Sequence, residues 1–303
     1  MTTFSSQSVA SLQRTESAAD CVKFFTLTDS TQNIARELIR QDKFLERTDG
    51  KPTIYAIVAD EQTAGRGRLG RKWVSRPGES FLVSFVTLLP KNIVMDAECN
   101  GWLSIIAGLA ARDALLEVFE ECGSKPKHGD ECALKLKWPN DVFLHDCKEG
   151  GILTEIVAPA NSSDSATSSD SADKIGVVFG IGLNLNVPQD VLPIKMSTSL
   201  HMHTTHLPAP QALRDMIAAK IVTGLRARLD NFISKYPQNS ADLLAEVNAV
   251  SWTLGRAVNV HPVGGGMITG TAVRIGNDAS LTIRKNSGEE IVVTSGDVQA
   301  VAY

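Results

Sequence analysis

Thr53–Asp60 (TIYAIVAD) has the apolar, β-branched texture of a strand, and so does Ser80–Leu89 (SFLVSFVTLL), which is too apolar to be an exposed edge. The segment joining them constrains the fold most. Residues 61–73 read EQTAGRGRLGRKW, and Gly65, Gly67 and Gly70 match the G-x-G-x-x-G spacing that follows the first strand of dinucleotide-binding folds. Those folds need a helix to open at the third glycine and an acidic residue about 20 positions further on. Here the chain runs through Pro77 and Gly78 into the next strand, and the region around Phe85 carries no acid. The doubly wound dinucleotide-binding reading is therefore excluded.

The rest of the pattern is irregular. Thr28-Asp29-Ser30-Thr31-Gln32 resembles a helix start, with Asp29 as the cap, Gln32 three residues later, and Ile34, Ala35, Leu38 and Ile39 on one apolar face. Trp102 to about Glu120 is helical, with Leu103, Ile106, Leu109, Ala110, Leu116 and Phe119 on one side. Leu134–Trp138 alternates apolar and basic residues as a half-buried strand does, Pro139-Asn140-Asp141 makes a turn, and Val142–His145 runs back. Gly151–Ala158 and Ile175–Val187 are further strands, followed by a long amphipathic helix from Gln211 to about Tyr236 and a short one over Ala241–Val247. Such mixing predicts an α+β domain, a mixed, mainly antiparallel sheet flanked by helices.

After Ser251 the texture changes to short β segments, Ala257–His261, Thr269–Ile275, Ser280–Arg284 and Glu290–Thr294, separated by glycine turns. This predicts a small all-β barrel over residues 250–303, behind a larger α+β domain over 23–248. Residues 1–22, rich in Ser, Ala and Thr, are expected to be a disordered tail. Residues 160–173 (ANSSDSATSSDSAD) hold no apolar side chain but alanine, cannot offset their ordering entropy, and predict a mobile insertion at 159–173.

A net charge of −4 argues against a chain built to coat nucleic acid, so phosphate affinity must come from a local basic cluster. Five scattered cysteines form no C-x-x-C pair and no metal spacing, and read as reduced thiols of an intracellular protein. No apolar run approaches the roughly 20 residues needed to span a bilayer. The expected setting is cytoplasmic, with no membrane or nucleic-acid partner.

One such basic cluster exists. Arg66, Arg68, Arg71 and Lys72 stand together in the glycine loop, and guanidinium forks grip phosphate oxygens at fixed angles without losing charge. Trp73 adds a flat surface for an adenine. A solvated basic loop and a nucleic-acid patch are the competing readings of this string alone.

Glu61–Trp73 resembles the signature loop of biotin–protein ligases. The resemblance extends to Asp29-Ser30-Thr31, Lys137-Trp138-Pro139-Asn140-Asp141, Lys148-x-Gly-Gly-Ile-Leu and Gly180-Ile-Gly-Leu-Asn184, in the family's order across about residues 24–190, and to the terminal barrel. It implies a class II synthetase-like ligase core that makes biotinyl-5′-AMP from biotin and ATP, with Mg2+, and passes biotin to a lysine of a biotin carboxyl carrier domain of biotin-dependent carboxylases. The family form implied lacks an N-terminal DNA-binding domain, since only 28 residues precede Asp29. The assembly implied is a monomer or homodimer. The nearest alternative is a lipoate–protein ligase; a non-enzymatic nucleic-acid-binding module is another, although residues 251–303 lack the aromatic platforms and basic stripe it would use.

The resemblance also implies roles. Lys148 contacts the biotin carboxylate and the α-phosphate. Arg68 holds the loop closed over the mixed anhydride, and Asp141 orients or deprotonates the incoming amine. Ser30, Thr31, Gln62, Arg66, Gly67, Arg68, Lys148 and Gly151 bind biotin; Arg66, Arg68, Arg71, Lys72, Trp73, Asn140 and Asn184 bind ATP. No protein metal ligand is implied, magnesium being carried by the phosphates. Cys147 stands where a basic residue is common. Because the barrel carries none of the five motifs, a chain cut after about Ala249 is expected to keep its biotin and ATP sites.

Overall fold

The computed structural model describes residues 12–41, 44–127, 133–159, 174–192, 194, 196–238 and 240–301. The chain opens with α1 (Gln13–Ala18), β1 (Cys21–Thr28), α2 (Thr31–Arg40), β2 (Tyr55–Gln62) and β3 (Ser80–Pro90). A short α3 (Lys91–Val94) precedes α4 (Trp102–Glu121), and four strands follow: β4 (Leu134–Lys137), β5 (Asp141–Leu144), β6 (Cys147–Val157) and β7 (Lys174–Asn184). Then come α5 (Leu200–His203), α6 (Pro210–Ser234) and α7 (Ser240–Val250). The chain closes with β8 (Ala257–Pro262), β9 (Ile268–Ile275), β10 (Leu281–Arg284), β11 (Glu290–Val293) and β12 (Gly296–Ala300).

Strands β1 to β7 form one sheet in the order β1-β2-β3-β7-β6-β5-β4. Only β1 and β2 are parallel; every other neighbouring pair is antiparallel, as the strand–loop–strand passage requires. Period-two alternation sorts the side chains. Phe81, Val83 and Phe85 of β3, with Val177, Phe179 and Ile181 of β7, face a core shared with α4 and α6. Trp102, Ile105, Leu109 and Val118 of α4 are all buried; its first half, Trp102–Ala111, is buried on nearly every side, while Arg112, Asp113, Glu117, Glu120 and Glu121 keep a polar side on its second half.

On the opposite face, Ala35, Leu38 and Ile39 of α2 pack on Tyr55, Ile57, Val86 and Val178. That helix covers only part of the sheet. The remainder of this face, towards the Asn184 end of β7, holds the site.

Two expectations change. Residues 12–22 are not a loose tail: Leu12 is 1% exposed, and the Thr15 N–H and hydroxyl donate to Asp215 Oδ1 on α6 at 2.8 and 2.7 Å. A buried carboxylate needs donors, and the N-terminal turn of α1 supplies them. The C-terminal strands form a five-stranded antiparallel sheet, β11-β10-β9-β8-β12, with β11 and β12 at its edges; among the described residues no pairing closes it into the expected barrel. Nor is it set apart. Val258, Ile275, Leu281 and Val298 belong to the same buried cluster as α4, and Trp138 is tied across by Thr253 Oγ1 at 2.9 Å and the Ala279 carbonyl at 2.8 Å. The insertion expected at 159–173 lies, beyond Pro159, outside the described residues. Among the described residues, no helix is long and apolar enough to cross a membrane.

Candidate active site

A cavity of about 600 Å³ opens between the uncovered sheet face, the start of α2, the arginine loop and β12. That is the size of a small-molecule site. Its floor is β7, where Gly182 is required by close approach: a Cβ there would lie 2.7 Å from Trp73 Cε2. The indole therefore packs directly on the strand backbone. Among the described residues its buried Nε1 has no hydrogen-bond partner, which leaves a donor for a ligand's polar atom.

The arginine loop is a small hairpin with one 3-10 turn at Arg68–Gly70, and it opens no α-helix. Arg66 bridges Lys72, the Gly67 N–H donates to the Arg71 carbonyl at 2.8 Å, and the Trp73 N–H to the Gly65 carbonyl at 3.0 Å. Gly65 allows this, since a Cβ would come within 2.4 Å of the Trp73 carbonyl oxygen. At the apex, Leu69 takes a left-handed φ of 55°. The side chains then leave the hairpin: Arg68 donates to Asn140 Oδ1 at 2.8 Å and Ser295 Oγ at 2.9 Å, Arg71 pairs with Asp297 at 2.7 Å, and Arg66 reaches Asn33. Burial pushes the Arg68 guanidinium down, opposed by Asp141 and Asp297. The hydrogen bond that Arg71 donates to the Asp297 carboxylate pushes the Arg71 guanidinium up.

At the start of α2, Ser30 is 1% exposed and makes no side-chain capping bond. Asp29 accepts the Ser30 N–H at 2.6 Å instead, so the Ser30 hydroxyl is not spent on the helix. Thr31 donates through its N–H and hydroxyl to Gln62 Oε1 at 2.7 and 3.1 Å, which leaves the Gln62 NH2 group as a donor. Ser84 and Gln32 complete this polar wall: Ser84 Oγ lies 2.7 Å from Thr31 Oγ1 and 2.8 Å from Gln32 Oε1.

Opposite stands an acid between two lysines. Lys148 Nζ is 2.7 Å from Asp141 Oδ1 and Lys137 Nζ is 3.3 Å from Oδ2. Asn140 is held by donation to the Ile152 carbonyl at 2.7 Å, and Asn184 by donation to the Thr198 carbonyl at 2.8 Å. Beside Lys148, Glu149 is fully buried, and among the described residues neither carboxyl oxygen accepts a hydrogen bond of ordinary geometry. Burial holds its carboxyl well above the ordinary carboxylate range, weakly opposed by the Asn184 backbone.

Every site residue expected from the sequence lines this one cavity, from Ser30 and Thr31 to Gly151 and Asn184. The lining has Arg66, Arg68, Arg71, Lys72, Lys137 and Lys148 against only Asp141 and Asp297, an arrangement that draws anions together. Both carboxylates are paired to cations, and among the described residues no three His, Cys, Asp or Glu side chains gather as a metal site. Lys137, Gln32, Ser84, Ser295 and Asp297 carry no assigned role in the sequence reading. Lys137 had a signal, the strand alternation that turns it to the face of Asp141; the others become visible only once α2 and β12 are in place.

Residues 24–165 match the biotin/lipoate A/B protein ligase family. The biotin--[acetyl-CoA-carboxylase] ligase of Mycobacterium tuberculosis is 30% identical over 243 residues, covering 80% of this chain and 77% of that one. The chain belongs to the biotin–protein ligase family. Among solved ligases, the biotin protein ligase from Aquifex aeolicus in complex with biotin and ATP superposes with a TM-score of 0.64 at 25% identity, covering 93% of this chain and 100% of that one. The bifunctional ligase/repressor BirA of Salmonella typhimurium is 32% identical over 180 residues; the match covers 58% of this chain and 46% of that longer relative.

Proposed function

We propose that this biotin–protein ligase joins biotin and ATP into biotinyl-5′-AMP with release of pyrophosphate, then transfers biotin to a lysine of a biotin carboxyl carrier domain. One observation carries the reading: a single cavity that brings the polar wall of Ser30, Thr31 and Gln62 together with six cationic side chains. Two anions, a carboxylate and a triphosphate, repel each other unless cations face the point where they meet.

In the first step a biotin carboxylate oxygen attacks the α-phosphorus and pyrophosphate leaves. Ser30, Thr31 and the Gln62 amide face the ureido ring, with Gly67 and Gly151 giving close access. Lys148, oriented by Asp141, faces the carboxylate and the α-phosphate. Arg66, Arg68, Arg71 and Lys72 face the phosphates. Trp73 is the adenine platform, and Asn140 and Asn184 edge the nucleotide. In the second step an acceptor amine attacks the anhydride carbonyl, AMP leaves with the phosphate oxygens, and the amine loses a proton. Asp141 is the nearest carboxylate for that proton, but both its oxygens now accept from lysines, so it must release one of them first.

With no carboxylate cluster of its own, the cavity suits a magnesium ion carried by the triphosphate. Such an ion adds charge compensation at the phosphates. The setting we propose is cytoplasmic, supported by five scattered cysteines with no C-x-x-C pair. The test is ATP–pyrophosphate exchange with biotin, with lipoate and with neither. Exchange with biotin alone is expected; exchange driven by lipoate, or none, overturns the assignment.

A further inference from the structure

The arginine hairpin is not held down by the segment that carries it. Of its two apical arginines, Arg68 donates to Ser295 Oγ at 2.9 Å as well as to Asn140 Oδ1 at 2.8 Å, and Arg71 ends on the Asp297 carboxylate at 2.7 and 3.4 Å. The two ends differ in firmness. Asp297 and Val298 pair in register with His261 and Val260 of β8, and Val298 is 1% exposed in the core. The hairpin end is exposed and rich in glycine, with Leu69 59% exposed and in a left-handed conformation. A cover built this way is anchored firmly on the C-terminal sheet and lifts at the hairpin once the side-chain contacts of Arg66 with Asn33 and of Arg68 with Asn140 part.

We infer that Ser295 and Asp297 are positioning residues, a strap from the C-terminal sheet that holds the arginine hairpin over the cavity and keeps the adenylate from leaving before an amine arrives. The second half of this statement rests on the ligase reading; the first does not. An ion pair as exposed as Arg71–Asp297 is weak, which suits a contact that must open at each turnover rather than one that holds the fold together. Burial raises the Asp297 carboxyl, but the Arg71 hydrogen bond, with Arg71 and Lys137 charge nearby, outweighs it and leaves the group below its usual range. The strap is therefore charged at neutral pH. A mixed anhydride reacts with any amine it meets, so a hairpin that lifts early loses specificity before it loses rate.

The strap can be read without any ligand. Arg66, Arg68, Arg71 and Lys72 are trypsin sites, and a lifted hairpin is nicked faster than a strapped one. In the ligand-free protein, the double variant Ser295→Ala with Asp297→Ala is expected to be cut at these sites about fivefold faster than the parent, the scale of losing one exposed ion pair. Cleavage elsewhere should not change, and Asp297→Glu should restore resistance. With biotin and ATP added, the double variant should label bystander albumin at the expense of an acceptor domain, so that bystander labelling per pyrophosphate exchanged rises above the parent's. Unchanged nicking of the hairpin overturns the strap, as does nicking that rises equally along the whole chain. Faster nicking of the hairpin in a protein that shows no biotin-dependent exchange leaves the strap standing and refutes the ligase reading.

Discussion

The Lys148 ammonium and the Asp141 carboxylate meet at 2.7 Å because β6 carries a bulge between them. Val142 pairs with Gly150 but Phe143 pairs with Lys148, which leaves Glu149 as the extra residue. Strict alternation would place Lys148 and Gly151 on opposite faces of the strand. The bulge returns Lys148 to the face of Gly151, where a Cβ on that glycine would be 3.4 Å from both Lys148 Nζ and Asp141 Oδ1.

Removing this lysine separates chemistry from folding. In Lys148→Ala, Asp141 keeps Lys137 as a partner, so no buried charge is stranded and the melting temperature should stay close to the parent's. Adenylate formation should fall on the order of 10²- to 10³-fold, the scale of losing one aligned charge at a developing anion. Pyrophosphate exchange at the parent's rate would remove Lys148 from the mechanism.

Gly182→Val tests the adenine platform. The new side chain would occupy space held by the Trp73 ring, where even a Cβ lies 2.7 Å from Cε2. The ring must shift, and ATP saturation is expected to require about 10- to 100-fold more nucleotide, as misplacement of a positioning group does. Biotin binding by calorimetry should change less. Unchanged ATP dependence would mean that the nucleotide does not use the indole.

Much of this site was legible because its motifs are local. Asn140 and Asp141 share one turn, Lys148 and Gly151 one strand, and the arginines one hairpin, so each motif fixes its own geometry. Ser295 and Asp297 gave no local signal, since Arg71 and Asp297 lie 226 residues apart in the chain. Likewise, α1 (QRTESA) was hidden because its order comes from Asp215 on α6, not from any apolar periodicity of its own. β12 (GDVQA) is too short and polar to read as a strand until β8 pairs with it.

The C-terminal sheet changes a third expectation, that a chain ending at Ala249 keeps its ligand sites. Gly296, Asp297 and Val298 line the cavity, and Trp102 and Trp138 lose the carbonyls of Asn277 and Ala279 when the sheet is removed. The truncated chain should melt lower, bind a dye for exposed apolar surface, and lose adenylate formation together with transfer. A folded truncation with normal pyrophosphate exchange would show that the ligand sites need nothing beyond Ala249.

Glu149 makes the last prediction one about pH. Its carboxyl is held well above the ordinary range by burial, whereas in the unfolded chain it titrates at about 4.3. Above that value the unfolded state gives up a proton that the folded state keeps. Stability is therefore lost as pH rises, by up to about 1.4 kcal/mol per pH unit until the folded carboxyl itself ionises. Glu149→Gln removes this dependence while keeping size and shape. Its melting temperature should nearly equal the parent's at pH 4 and exceed it by a margin that widens from pH 5 to pH 7, with pyrophosphate exchange retained. A constant margin across that range would mean that Glu149 is ionised in the folded protein, with a partner for its charge that would have to be sought beside Lys148.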